Sequence, residues 1–302
     1  MLLSCSATHI LLSSPYDRPA IWASSHYFDL GLRKCTAMLS ENVNSDNARQ
    51  LFISSILIAL HTLLSRRDID MKSGYVVPSA WFRALRGVKA VVDAAGVWLQ
   101  RSDMGPMVPK EREVEEVKSI LQSPSRIKTE DGIEEDEDED ESDEDEVEDE
   151  KEEGDSDADE AEEGGEAEES SPFPALYAAL SPNSPPTPKT VYTVPMDLLS
   201  TVYTLLLPPR PPTHILRRKL LGFPASLSPE FLTLLDSHDA GTLVVVSYFF
   251  GLLALVDDVW WLQGAPEAEL QGLLTVVPQE WQWAMEWPMK QIASRIPMPI
   301  DD

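Results

Sequence analysis

Apolar residues recur along this chain at the three- and four-residue steps of a helix, and hardly anywhere at the alternating steps of a strand. After Asp17 and Pro19, an N-cap and early-turn pair, Ile21, Ser25, Phe28, Leu32, Cys35 and Leu39 follow by fours and threes, which predicts a helix with a single buried seam. Asp46 or Asn47 is placed to cap the next helix, NARQLFISSILIALHTLL. Its apolar residues cover most of its circumference, so it belongs near the centre of the fold. Ser79, behind Pro78, opens a third, with Trp81, Leu85, Val88, Val92, Ala95 and Leu99 at helical spacing until MGPMVP stops it.

Nearer the C-terminus, prolines fall where a first helical turn tolerates them: VPMDLLSTVYTLL, SPEFLTLLDS, APEAELQGLLTVV and VPQEWQWAMEW. Five or six helices are predicted there. With no strand-helix repeat and no period-two run between turn signals, the fold class is all-α. Between the helical regions, Thr129 to Lys189 holds an acidic run, a small-residue patch ending in SSPFPALYAAL, and the proline-rich SPNSPPTPK. Such composition buries too little apolar surface to offset the entropy of ordering. The expected organisation is one helical domain in two halves, 1–128 and 190–302, interrupted by a disordered insertion at 129–189.

Charge sharpens that division. The chain of 302 residues has a formal net charge of −28, yet of its 52 acids 28 lie between Glu130 and Glu169 with Lys151 as the lone base. The remainder carries 24 acids and 23 bases and is neither a basic nucleic-acid binder nor an acidic protein. Cys5 and Cys35, the two cysteines, sit in apolar segments, which argues against a disulfide framework and for a reducing compartment. MLLSCSATHILL lacks the basic start and cleavage site of a signal peptide. The runs at 51–64 and 240–256 are at or below the roughly 17 to 25 residues that span a bilayer, and both contain polar residues. They are expected to be buried helices, with no membrane span.

Catalytic and metal-binding signals are lacking. None of the five histidines pairs with His, Cys or Glu at metal-ligand spacing, and His61, inside an apolar helix, is expected to be a hydrogen-bonded core residue. No GxSxG, GxxxxGK[ST] or GxGxxG occurs, and no cofactor is implied. Asp257 and Asp258, adjacent in sequence, would point about 100° apart on a helix and cannot act as facing acids. Tyr248, Phe249, Phe250, Trp260 and Trp261 concentrate more aromatic surface than one helix seam needs. They either line an apolar pocket or pack as core. Of the adjacent tryptophans, one is expected to be fully buried and the other to face an adjoining helix or a pocket wall.

The segments LLSCSATHILL, HYFDLGLRKCTAMLSENVNSDNARQLFISSILIALHTLL, WFRALRGVKAVVDAAGVW and YFFGLLALVDDVWWLQGAPEAELQGLLTVVPQEWQWAMEWPMKQI, in that order, resemble the C-terminal regulatory domain of fungal zinc-cluster transcription factors of the sterol uptake control type. Its most specific parts are the helix at 46–64, the LRGV at 85–88, and the tryptophan pair followed by Gly264 and Trp287-Pro288. The resemblance implies a helical domain that forms homo- or heterodimers. It also implies a pocket near the C-terminal helices for a sterol or other apolar molecule, occupied in the inactive state and emptied on release to the nucleus. Tyr248, Phe249, Phe250, Trp260, Trp261 and Gly264 are the ligand-binding candidates.

Three departures accompany it, one of them the acidic insertion, read as a loop expansion between helices. Two cysteines cannot build the six-cysteine zinc cluster of such factors, so DNA would be reached through a missing cluster or a partner. The turn QGAPEAELQG replaces an aromatic-containing glycine turn, which bears on any ligand contact made there. The competing expectation is a non-catalytic dimerising interaction protein whose acidic tract binds basic partners such as histones. Neither reading is an enzyme.

Overall fold

Side-chain caps set where several helices begin. In the computed structural model, which describes residues 1–68, 74–104, 171–180, 190–208 and 210–294, α1 spans Leu2–Ser13 and α2 spans Arg18–Ser40. The Asp17 carboxylate caps α2 by accepting the Ala20 N–H at 3.0 Å, with Pro19 in the first turn. Helix α3, Ala48–Leu64, continues into a 3-10 turn, Ser65–Asp68. Ahead of it Asn47 accepts the Asn44 N–H at 2.9 Å and donates to the Asn42 carbonyl at 2.8 Å. These bonds close the loop around Asn42, whose φ of 68° lies in the left-handed region that asparagine tolerates. Helix α4 is Ser79–Gln100.

The second half supplies α5 (Phe173–Leu180), α6 (Thr190–Leu206), α7 (Thr213–Ser226), α8 (Pro229–Asp236) and α9 (Ala240–Ala254). It closes with α10 (Ala265–Val276), a 3-10 segment at Gln279–Met285, and α11 (Glu286–Ala293). Ser228 Oγ caps α8 through the Phe231 N–H at 3.0 Å, and Asp239 caps α9 through the Thr242 N–H at 3.0 Å. Among the described residues every regular element is helical, so the all-α class holds.

Two packing centres organise these helices. Helix α3 packs chiefly on α4 and also on α1 and α2. Around this contact Cys35, Ala48, Leu51, Phe52, Val91, Ala95 and Leu99 form a core. Helix α9 is the second centre, lying against α6, α7, α10 and α11. Every residue from Gly241 to Ala254 is buried, as an all-round apolar helix requires. Gly251 lets α11 come close, since a Cβ there would stand 3.0 Å from the Pro288 backbone. Contacts of α4 with α7 join the halves, and Met1–Val108 with Ser171–Asp302 forms one unit. By length and composition 48–67 could cross a bilayer. Its burial of Leu51, Leu63 and Leu64 against α1, α2 and α4 makes it the central helix expected.

Several expectations need correction. The seam predicted for α2 is rotated: Cys35 is buried and Phe28 half-buried, but Ile21, Ser25, Leu32 and Leu39 are exposed. The buried positions are instead Ala20, Ser24 and Cys35, with Gly31 beside them. Small residues let α2 approach α1 closely, to the point that a Cβ on Gly31 would stand 3.0 Å from Met1. Helix α6 starts at Thr190 and carries Pro195 inside it rather than in its first turn. The stretch after Pro278 is divided into a 3-10 segment and α11 instead of one helix. Of the expected insertion at 129–189, residues 171–180 are described and hold α5, because Phe173 and Leu176 find fully buried seats. The acidic run lies outside the described residues.

Candidate functional site

The aromatic candidates on α9 belong to two ring clusters. Phe249 and Phe250 meet Trp81 and Phe82 of α4 at centroid distances of 5.5 to 6.3 Å, and Phe223 of α7 stacks on Phe249 at 4.8 Å. Tyr248 faces the other way. It stacks on Trp287 of α11 at 5.1 Å and meets Phe173 of α5 edge-on at 5.5 Å, while Tyr203 of α6 approaches both Phe173 and Trp287. Burial pushes the Tyr248 phenol up to about 12. All three α9 aromatics are at most 2% exposed, so in this structure their surface is spent on one another and on neighbouring rings.

Trp260, Trp261 and Gly264 are placed elsewhere. Helix α9 ends at Ala254, and the two tryptophans lie in the irregular turn beyond it rather than on successive helical positions. Trp260 is 49% exposed and packs edge-on against His9 of α1 at 4.4 Å, Trp261 is half-buried, and the fully buried members of the turn are Val256 and Leu262. The expectation that one tryptophan is fully buried therefore fails. Gly264, with φ of 75°, reverses the chain into α10, a conformation in which other residues are strained.

Charged side chains hold this turn from three sides. Arg67, just beyond α3, donates to the Gln263 carbonyl at 2.7 Å and to that of Trp261 at 3.3 Å. Asp257 accepts the Gly264 N–H at 3.2 Å. Arg217 of α7 donates to the Val256 carbonyl at 2.8 Å and forms an ion pair with the exposed Asp258. The two aspartates thus serve chain geometry separately and do not face one another as an acid pair.

Beside the turn, Arg66 pairs with Glu269 of α10. The guanidinium donates through both Nε and Nη2, the second at 2.7 Å, and Tyr75 donates its hydroxyl to the same carboxylate at 2.6 Å. Arg66 also donates to the Val76 carbonyl at 2.7 Å. Burial alone would lower the Arg66 pKa, but its hydrogen bonds and charge contact with Glu269 outweigh that and raise it. The Tyr75 phenol is raised by burial and then by the adjacent carboxylate. This triad escaped the sequence reading. Its signal was present in Pro266, Glu269, Leu270 and Leu273, where an acid shares the buried face of a helix.

His61 is the core histidine expected. Its Nε2 lies 3.1 Å from Ser24 Oγ, which contacts Thr8 Oγ1 at 2.7 Å, and Phe28 stacks on the ring at 4.0 Å. Burial pushes the imidazole down to about 4. Both cysteines are free and buried, and burial raises their thiols. Among the described residues no group of three or more His, Cys, Asp or Glu side chains converges as a metal site would need. The arrangement comprises two aromatic clusters, a clamped surface turn, and a buried ion pair joining the halves.

The chain is similar to a Zn(2)-C6 fungal-type transcription factor of Gibberella zeae, with 26% identity over 300 residues. The match takes in 96% of this chain and 51% of that protein, so the chain spans about half the length of the curated relative it matches. No protein-family model matches the chain, and no solved structure matches it.

Proposed function

We propose that this chain is a regulatory part of a fungal transcription regulator, acting in the nucleus through non-covalent contacts and without catalysis of its own. The observation that carries this reading is the similarity to the Gibberella zeae transcription factor along nearly the whole chain. The all-helical fold is compatible with it but carries no function by itself. DNA contact in this reading comes from a zinc cluster or from a partner chain, and the helical part pairs with a second copy or a relative.

An apolar ligand, a sterol in the finest form of the reading, enters where α5 covers the α9 cluster. Helix α5 is held by Phe173 against Tyr203, Tyr248 and Trp287, by Leu176 beside it, and by the Tyr177 hydroxyl, which donates to Asp197 at 2.5 Å; Phe173 and Leu176 are its fully buried side chains. Each contributes about 1.5 to 3 kcal/mol of apolar burial. A sterol that takes both seats buries more apolar area than they do and can displace them. Such binding would free α5 and uncover Tyr248. Trp260, Trp261 and Gly264, on the far side of the α9 C-terminus in sequence, shape the clamped turn rather than this entry.

Chromatin immunoprecipitation of the tagged chain in its own host tests the regulatory reading: enrichment at a defined set of promoters is expected, and its absence from chromatin would overturn it. Mass spectrometry of a lipid extract from the purified protein tests the ligand. Co-purification of a sterol or similar molecule is expected; a protein that retains no apolar molecule and binds none added would remove the sensing step.

A further inference from the structure

Helix α2 leaves an apolar stripe uncovered. Ile21, Leu32 and Leu39 are 45%, 41% and 49% exposed and Trp22 is 61% exposed. At about 100° per residue, Ile21, Ser25, Leu32 and Leu39 fall within about 40° of one another on the helix. This is the stripe whose spacing promised a buried seam, and among the described residues nothing covers it.

The stripe is symmetric about the axial level of residue 30, although Leu30 itself points to the opposite side of α2. Reversed about that residue, Ile21 falls on Leu39 and Phe28 on Leu32. Two antiparallel copies of α2 crossing there would form each of these contacts twice, the self-complementarity that a two-fold interface demands. One end of the stripe also holds a socket. Arg18, Ile21, Trp22 and Ser25 stand at i, i+3, i+4 and i+7 and, with His26, line an open recess. Four residues at this spacing form the hole that receives a knob from a facing helix. His26 stacks on Trp22 at 4.5 Å and 12°, which fixes that wall. In the reversed register the side chain over the socket is Leu39.

Charge agrees with the same register. Asp29 and Arg33 form an exposed pair at 2.8 Å beside the crossing point. The two-fold axis places both on the same flank, with Asp29 of each copy about 3 Å along the helix axis from Arg33 of the other, given the 1.5 Å rise per residue. Asp29 of each copy therefore stands opposite Arg33 of the other, so that unlike charges meet across the axis.

We propose that this chain self-associates through α2, antiparallel and two-fold symmetric, with Leu39 of each copy seated among Arg18, Ile21, Trp22 and Ser25 of the other. The proposal deepens the pairing given under the proposed function and rests on that reading only for the existence of a dimer. Surface and register come from α2 itself.

Sedimentation equilibrium of the full chain tests it, in about 0.3 M salt so that repulsion between the acidic tracts is screened. The wild type is expected to approach twice the 33.6 kDa chain mass at micromolar concentration. Leu39→Glu, at an exposed site that leaves the fold intact by circular dichroism, is expected to weaken association at least about tenfold. Asp29→Arg and Arg33→Asp chains should each self-associate less than wild type and recover association when mixed one to one. A wild type that stays monomeric throughout overturns the dimer and the surface together, and leaves the stripe to a different occupant. A wild type that dimerises as tightly as Leu39→Glu, or charge variants that do not recover on mixing, overturns the α2 surface while the dimer stands.

Discussion

Arg66 and Glu269 lie 203 positions apart and meet as a buried two-point ion pair, 9% and 7% exposed, that ties the end of α3 to the inner face of α10. Because the guanidinium fork matches a carboxylate in two parallel bonds, the contact fixes orientation as well as distance. Its carboxylate is also the acceptor for Tyr75, so three side chains from both halves of the chain depend on one another.

Removing one partner leaves the other charge buried and unpaired. Glu269→Ala or Arg66→Ala is expected to lower unfolding free energy by about 3 to 5 kcal/mol. Urea denaturation followed by circular dichroism reads it. The double change Arg66→Met with Glu269→Leu should cost much less than the sum of the single losses, because no orphaned charge remains.

Tyr75 reaches that carboxylate only because α10 has no side chain in its path. A Cβ on Gly272 would stand 2.1 Å from the Tyr75 ring. Gly272→Ala is therefore expected to destabilise by about 1 to 3 kcal/mol through overpacking, despite the better helix propensity of alanine. Thermal melts of Gly272→Ala in wild-type and Tyr75→Ala backgrounds check the cause. The penalty should largely vanish in the second.

His61 makes stability depend on pH. Its imidazole titrates near the ordinary 6.5 in the unfolded chain and at about 4 when folded. Between these values the unfolded chain binds the additional proton, so stability falls as pH drops. The contribution is fully present above about pH 6.5 and is lost progressively down to about pH 4, by at most about 3 kcal/mol and less where solvent screens the charge. Urea titrations at pH 7.5 and pH 5 should show a larger difference for wild type than for His61→Gln.

In the turn after α9, burial predicts a different ranking from the one the adjacent tryptophans suggest. Leu262→Ala should cost about 2 to 5 kcal/mol as a core truncation. Trp260→Ala, at a half-exposed site against His9, should cost less than about 1.5 kcal/mol, with Trp261→Ala between the two. Denaturation midpoints of the three variants decide the order.

Much of the helical framework was legible because its signals are local. Asp17 with Pro19 and Ser228 with Pro229 mark helix starts through chemistry confined to one turn, and the all-round apolar run after Asp239 announced a buried helix. The rotation of α2 was not legible, since it depends on Gly31 and Ser24 meeting α1 and His61 across the fold, while Ile21, Leu32 and Leu39 present the stronger periodicity. Phe249 and Phe250 could be assigned to an apolar centre, but not to rings of α4 and α7, which are contacts of long sequence separation. Trp260 and Trp261 misled because two large aromatics suggest burial, whereas the turn is held by Arg67, Asp257 and Arg217 through backbone carbonyls and N–H groups that composition does not reveal.

The central claim, that this helical chain sets the output of a transcription regulator, is tested most directly by fusing residues 1–302 to a heterologous zinc-cluster DNA-binding domain and measuring a reporter gene in a fungal host with sterol synthesis intact or inhibited. The expected reporter output differs from that of the DNA-binding domain alone and rises when sterol is depleted. An output equal to that of the DNA-binding domain alone in both states would contradict it.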